Sequence, residues 1–146
     1  MCYRKNDTHM DLDIDLIKKE NKENPIYYIQ YSFARSQSVL ERSNKAVSSD
    51  MELSFELKNL IKKIHEWDLV ALNSYKRNEV HLIAHYLESV ASMFHSLWSS
   101  AKSNPNSRFL DDDNNLTENA LSLLNKYQSV ISEGLGILGI KPKLKM

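Results

Sequence analysis

The sequence predicts an all-α bundle of about five helices, preceded by a short extended N-terminal segment. Three observations carry this. Only 3 glycines and 3 prolines interrupt 146 residues, too few for the many turns of a β protein. Apolar residues recur at helical spacing in several long stretches. Helix-start signals stand before most of those stretches. A hydrophobic content of 42% is that of a globular chain with a packed core.

The elements follow in order. In residues 1–23, Met10, Leu12, Ile14 and Leu16 alternate with Asp11, Asp13 and Asp15. A period of two predicts an extended segment with one face on the body. The lysines and glutamates of 18–23 form a solvated connection. The first helix spans about 25–44, with Asn24 as N-cap and Pro25 at the first helical position. Ser49-Asp50-Met51-Glu52 has the capping-box pattern and opens a second helix carrying Leu53, Leu57, Leu60, Ile61 and Ile64. A break near Glu66–Asp68 gives a short third helix through about Lys76. Asn78-Glu79 opens the fourth, whose stripe of Ile83, Leu87, Val90, Phe94 and Leu97 is widened by Tyr86, Ala91 and Trp98. Residues 101–115 read as a loop. Asn115 and Glu118 then cap a fifth helix carrying Ala120, Leu124, Tyr127, Ile131 and Leu135, with Gly134, Gly136 and Gly139 ending it.

Composition narrows the function. Net charge is zero, which excludes a polyanion binder held by bulk electrostatics. The single cysteine, Cys2, excludes an internal disulfide or a cysteine metal cluster and fits a reducing cytosol. No apolar run approaches the length of a membrane span, and no signal-peptide core follows the start. His81 and His85 are four apart on a helix, but Leu82, Ile83 and Ala84 supply no glutamate between them and no third ligand is evident, so no metal is expected. Asp111-Asp112-Asp113 lacks the glycine and terminal glutamate of a calcium loop and reads as a solvated acidic turn. There is no glycine-rich phosphate loop and no nucleophile–base set, so no catalytic residue is expected.

The first helix is where the sequence speaks of binding. Ile26, Ile29, Phe33 and Leu40 fall within an arc of about 60° around its axis. Tyr28, Tyr31, Arg35 and Arg42 fall within about 60° on nearly the opposite side. With the aliphatic face in the core, the tyrosine–arginine face looks outward. Rings and guanidinium planes of that kind stack on unpaired nucleic-acid bases. Tyrosines at this spacing also serve as half-buried core residues, so periodicity alone leaves both readings open. It leaves open, too, a helical protein-interaction module with no RNA role.

Several of these segments together resemble one family. Asn24-Pro25-Ile26-Tyr27-Tyr28-Ile29-Gln30-Tyr31-Ser32-Phe33-Ala34-Arg35 resembles the NPxYYxQYAHAR helix of arginyl-tRNA synthetases. Asp7-Thr8-His9-Met10-Asp11-Leu12-Asp13-Ile14-Asp15-Leu16 resembles their DSHLDFDLDL lead-in, and Glu79 to Leu87 their EPHRLxxYL helix. Phe94-His95-Ser96-Leu97-Trp98 stands where the family has F-x-x-F-Y, and Leu138-Gly139-Ile140 with the closing Met146 resembles its LGI…M terminus. The order is collinear over nearly the whole chain. Phe33, Val80, Leu97-Trp98, Pro142 and Leu144 depart from the family pattern.

The resemblance implies a fragment of a longer protein: residues 1–23 as a truncated lead-in from a catalytic body, and 24–146 as a DALR-type anticodon-binding domain. It implies a parent arginine–tRNA ligase that uses ATP with magnesium, while this piece is non-catalytic and carries no cofactor. It implies arginine tRNA as partner, through the anticodon loop, beside the catalytic domain of the same chain, with no DNA or membrane partner. The expected setting is a cytoplasmic monomer. The residues implied for the RNA are Tyr28, Tyr31, Arg35, Arg42 and Met146.

Overall fold

The computed structural model describes residues 21, 23–44, 46–47, 54–104, 107–111 and 113–146. Cys2, the alternating segment around Asp11, Asp13 and Asp15, the Ser49–Glu52 capping box and Asp112 lie outside them. The described elements are α1 (Pro25–Arg42), β1 (Ala46–Val47), α2 (Phe55–His65), α3 (Trp67–Arg77), α4 (His81–Ser100), β2 (Leu116–Thr117) and α5 (Glu118–Ile137). The all-α architecture holds. Glu66 alone separates α2 from α3, so the two form one bent rod. Counted as rods, the described residues hold four helices, one fewer than expected.

α1 begins as its sequence dictates. The Asn24 side chain accepts from the backbone N–H groups of Ile26 and Tyr27 at 3.1 and 3.3 Å, satisfying donors that a helix start leaves orphaned. The helix stops at Arg42, two residues short of expectation, where Ser43 turns to an extended conformation and its hydroxyl donates to the Leu40 carbonyl. Asn44 then reaches the loop before α5, through its backbone N–H to Asn114 and its side chain to Asp113. The two-residue strands β1 and β2 pair in parallel beside that link, Ala46 with Leu116 and Val47 with Thr117.

Helix starts account for three further differences. α2 opens at Ser54, whose hydroxyl accepts from Leu57 N–H. Asn78 closes α3 in a left-handed conformation at φ 54° instead of opening α4, a conformation asparagine tolerates better than most residues. Thr117, not Asn115, caps α5 by accepting from Ala120 N–H at 3.1 Å. Asn115 is already committed: its backbone N–H and side-chain amide both donate to the Asp111 carboxylate. Those bonds hold the Asp111 pKa below the usual carboxylate range. Asp111 thus serves as the acceptor that closes the turn onto Asn115.

α4 is the central helix and packs on α1, α2, α3 and α5. Its expected stripe is buried, with Leu87, Val90, Phe94 and Leu97 fully inaccessible. Phe94 stacks on Tyr127 of α5 at 4.6 Å. At the end of α2 the Lys63 and Ile64 carbonyls, which face only the Glu66 N–H of the backbone, also accept from the buried Tyr86 hydroxyl at 2.8 and 3.3 Å. Trp67 fastens the bent rod to α5 by donating its indole N–H to Glu133 at 2.9 Å. The Ser129 hydroxyl and that indole N–H together lower the Glu133 pKa.

The glycines of α5 divide by role. Gly134 and Gly136 lie inside the helix, contrary to expectation. Gly134 lets α4 approach: a Cβ there would stand 2.6 Å from the Leu87 side chain. Gly139 alone makes the stop, at φ +73°. It lets Ile140 N–H reach back to the Leu135 carbonyl at 2.9 Å and Gly139 N–H to that of Gly136, the closure typical of a left-handed glycine beyond a helix end. That turn aims the last six residues back toward α1.

Candidate nucleic-acid interface

α1 is packed on two sides, most extensively against α4 and then α5. On the α5 side the contact is polar and buried. Tyr127, fully enclosed, donates its hydroxyl to Ser32 Oγ at 2.6 Å. Burial drives the Tyr127 pKa far upward, so this phenol stays neutral. Ser32 and Ser36 donate to the carbonyls of Ile29 and Phe33 one turn back, and Gln128 reaches Ser36 and Gln37.

On the α4 side lie the tyrosines and Arg35. They do not stand opposite the core as a free face. They fill the seam where α1 crosses α4, and His95 and Trp98 come up from α4 to meet them. Tyr28 is half-buried, its ring 4.3 Å from that of His95 and packed against the core. Tyr31 stacks on His95 at 5.7 Å and on Tyr27 at 6.2 Å. The Arg35 guanidinium lies 4.2 Å from the Tyr31 ring centre and 5.2 Å from that of Trp98. It also donates to the Tyr31 hydroxyl at 2.7 Å. The reason for the difference is geometric: a helix wedged between two neighbours buries more than one stripe.

His95 holds the seam. Its Nε2 is 3.2 Å from the Tyr28 carbonyl oxygen and its Nδ1 is 3.4 Å from Arg35 Nη1. Burial lowers its pKa, the Arg35 charge adds to the lowering, and the Tyr28 carbonyl opposes it. The ring is therefore neutral near pH 7. Beyond Trp98 a cavity of about 330 Å³ opens, walled by Val39, Ala101, Phe109 and Leu110 with Lys102 and Arg108 at its rim.

The other expected residues sit apart from this cluster. Arg42 is exposed at the end of α1, about 10 Å along the axis from Arg35 at 1.5 Å per residue. Met146 is 44% exposed in the C-terminal tail. The tail reaches α1 through Gln30, a residue sequence reading passed over. The buried Gln30 amide donates to the Lys141 carbonyl at 2.9 Å and accepts from Lys143 N–H at 2.7 Å. No periodicity singles out His95, and Trp98, at the edge of the α4 stripe, is only half-buried. His81 and His85 approach each other edge to face at 6.0 Å, and among the described residues no group of three or more possible ligands gathers around a metal position. No helix among the described residues is long and apolar enough to cross a membrane.

The chain is similar to known proteins along its whole length. It is 35% identical to an arginine–tRNA ligase of Roseobacter denitrificans over all of this chain and 27% of that protein. It is 38% identical to one of Jannaschia over 97% of this chain and 26% of that protein. The chain thus spans about a quarter of the length of the curated relatives it matches. A crystal structure assigned to an arginyl-tRNA synthetase from Campylobacter jejuni superposes with a TM-score of 0.81 at 27% identity, over 99% of this chain and 32% of that one. The family model described as the DALR anticodon binding domain matches residues 29–146, from the first turns of α1 to the final methionine, and the chain belongs to that family.

Proposed function

We propose that this chain is the anticodon-binding part of an arginine–tRNA ligase and that the α1/α4 seam is where it meets the anticodon loop of arginine tRNA. The observation that carries the reading is the Arg35 guanidinium stacked between the rings of Tyr31 and Trp98 in a member of an anticodon-binding family. Bases released from a helix stack on such surfaces, with about 1–3 kcal/mol per base at stake. Tyr31 and Arg35 make the principal contacts, and Tyr28 supports them from within the seam while offering its accessible edge. Arg42 meets the RNA backbone further along α1, and Met146 closes the site from the tail that Gln30 holds. Residues 24–146 form this domain, and 1–23 lead in from the catalytic body. That body would charge the tRNA with arginine using ATP and magnesium in the cytoplasm, as a monomer. No step of that chemistry falls to the residues of this chain.

The test is titration of the chain with an arginine anticodon stem-loop RNA. Tyr31→Ala and Arg35→Ala should each weaken binding by about 1–3 kcal/mol, with the helical circular dichroism unchanged. Indifference of the affinity to substitutions in the anticodon would refute the proposal.

A further inference from the structure

His95 touches α1 at two points with opposite demands. The Tyr28 carbonyl can only accept a hydrogen bond, and the Arg35 guanidinium can only donate one. The two contacts, at 3.2 and 3.4 Å, therefore require one tautomer: Nε2 carries the proton and Nδ1 presents its lone pair to Arg35. An imidazolium has no lone pair to offer. It would set a second cation against the guanidinium at that distance.

The surroundings leave this ring as the adjustable element. From α1 it is faced by Arg35, Tyr28 and Tyr31. On its own helix Phe94 stands edge-on to it. α5 delivers Tyr127 to the face of Phe94. Among the described residues, the charge that bears on the imidazole is that of Arg35. Of the five N–H donors that a guanidinium has, the contacts to Tyr31 and His95 engage two, and they fix the plane in which the others point.

We propose that His95 is a positioning residue for RNA binding: its neutral Nε2–H tautomer holds the Arg35 guanidinium in register over the Tyr31 ring, and protonation of His95 releases it. The inference rests on the reading of the seam as the RNA-facing surface. It assigns His95 no contact with RNA and makes the affinity depend on the charge state of a side chain beneath the interface.

The experiment measures the affinity of the chain for an arginine anticodon stem-loop at constant ionic strength from about pH 8 to about pH 4, reaching below the usual histidine range because burial lowers the His95 pKa. The wild-type affinity should fall about threefold to tenfold on the acid side, the scale of losing one hydrogen bond. His95→Phe keeps a ring in the stack without either nitrogen. It should bind at every pH as the wild type does in acid, and His95→Gln should give a flat profile. A flat wild-type profile, or an acid loss that persists in His95→Phe, would overturn the inference while leaving the RNA-binding reading intact. Absence of anticodon-dependent binding at any pH would overturn both. Ring nitrogen NMR of the RNA-free chain gives an arm independent of variant folding: Nδ1 should be unprotonated near neutral pH, and an Nδ1–H tautomer would sink the proposal.

Discussion

Gln30 gives the sharpest test of how the C-terminal tail is built into the domain. Its side chain is 4% exposed and makes two hydrogen bonds to the tail backbone, one to the Lys141 carbonyl and one from Lys143 N–H. Ile140 is already fixed by its bond to Leu135 and by packing on the core. The release caused by Gln30→Ala should therefore begin at Lys141. Each neutral hydrogen bond contributes about 0.5–1.5 kcal/mol, so the two together amount to about 1–3 kcal/mol. Alanine is the better helix former, which works against any loosening of α1 itself. The assay is amide hydrogen exchange. The Lys143 amide should exchange about 5- to 150-fold faster, the change that about 1–3 kcal/mol of local opening produces. Amides in the middle of α4 and α5 should not change. Unaltered protection at Lys143 would show that something other than Gln30 seats the tail. Equal loss of protection at Val90 or Val130 would show that Gln30 supports the bundle as a whole. In either case Gln30 would not be what places Met146.

Two further substitutions probe the packing that holds the seam. Tyr127→Phe removes the hydroxyl that donates to Ser32 Oγ at 2.6 Å while leaving the ring stacked on Phe94; it should cost about 0.5–1.5 kcal/mol in urea unfolding without altering the slope. A loss several times larger would mean that the ring itself had moved. Gly134→Ala would place a methyl group 2.6 Å from the fully buried Leu87 side chain. Overpacking of about 1–3 kcal/mol should exceed the helix-propensity gain of about 1 kcal/mol. Gly136→Ala, with nothing within 4 Å of the added carbon, should instead stabilise by up to about 1 kcal/mol. Thermal unfolding of the pair compares them directly, and the same sign for both would refute the close-approach account of Gly134.

The helices whose apolar residues face a single core were readable from the sequence. The stripes of α4 and α5, from Ile83 to Leu97 and from Ala120 to Leu135, are buried as their spacing requires. The starts and stops were less readable, because capping residues are abundant and the path of the chain selects among them. Asn115 and Thr117 both suit an N-cap, but Asn115 is bound to Asp111 and Leu116 is paired with Ala46, which leaves Thr117. Likewise Gly134 and Gly136 look like terminators until the nearness of Leu87 to one of them gives that glycine another purpose. Sequence spacing carries no information about which helix a glycine will face.

The interface was half legible for a related reason. Tyr28, Tyr31 and Arg35 lie on one helix, so their common face follows from periodicity. Their partners His95 and Trp98 lie some sixty positions further along, and no local pattern joins them. A helical wheel also presumes one buried side, whereas α1 has two. The difference changes what the face can do. A free arginine side chain would lose about 2 kcal/mol of rotamer entropy on meeting a ligand. Arg35 is held between Tyr31, Trp98 and His95 in the folded chain, so much of that ordering is complete before any ligand arrives. Preorganisation of this kind raises affinity without adding a contact. For the RNA-binding role proposed for the seam, it would also place determinants of affinity partly on α4, in side chains that need never touch the RNA.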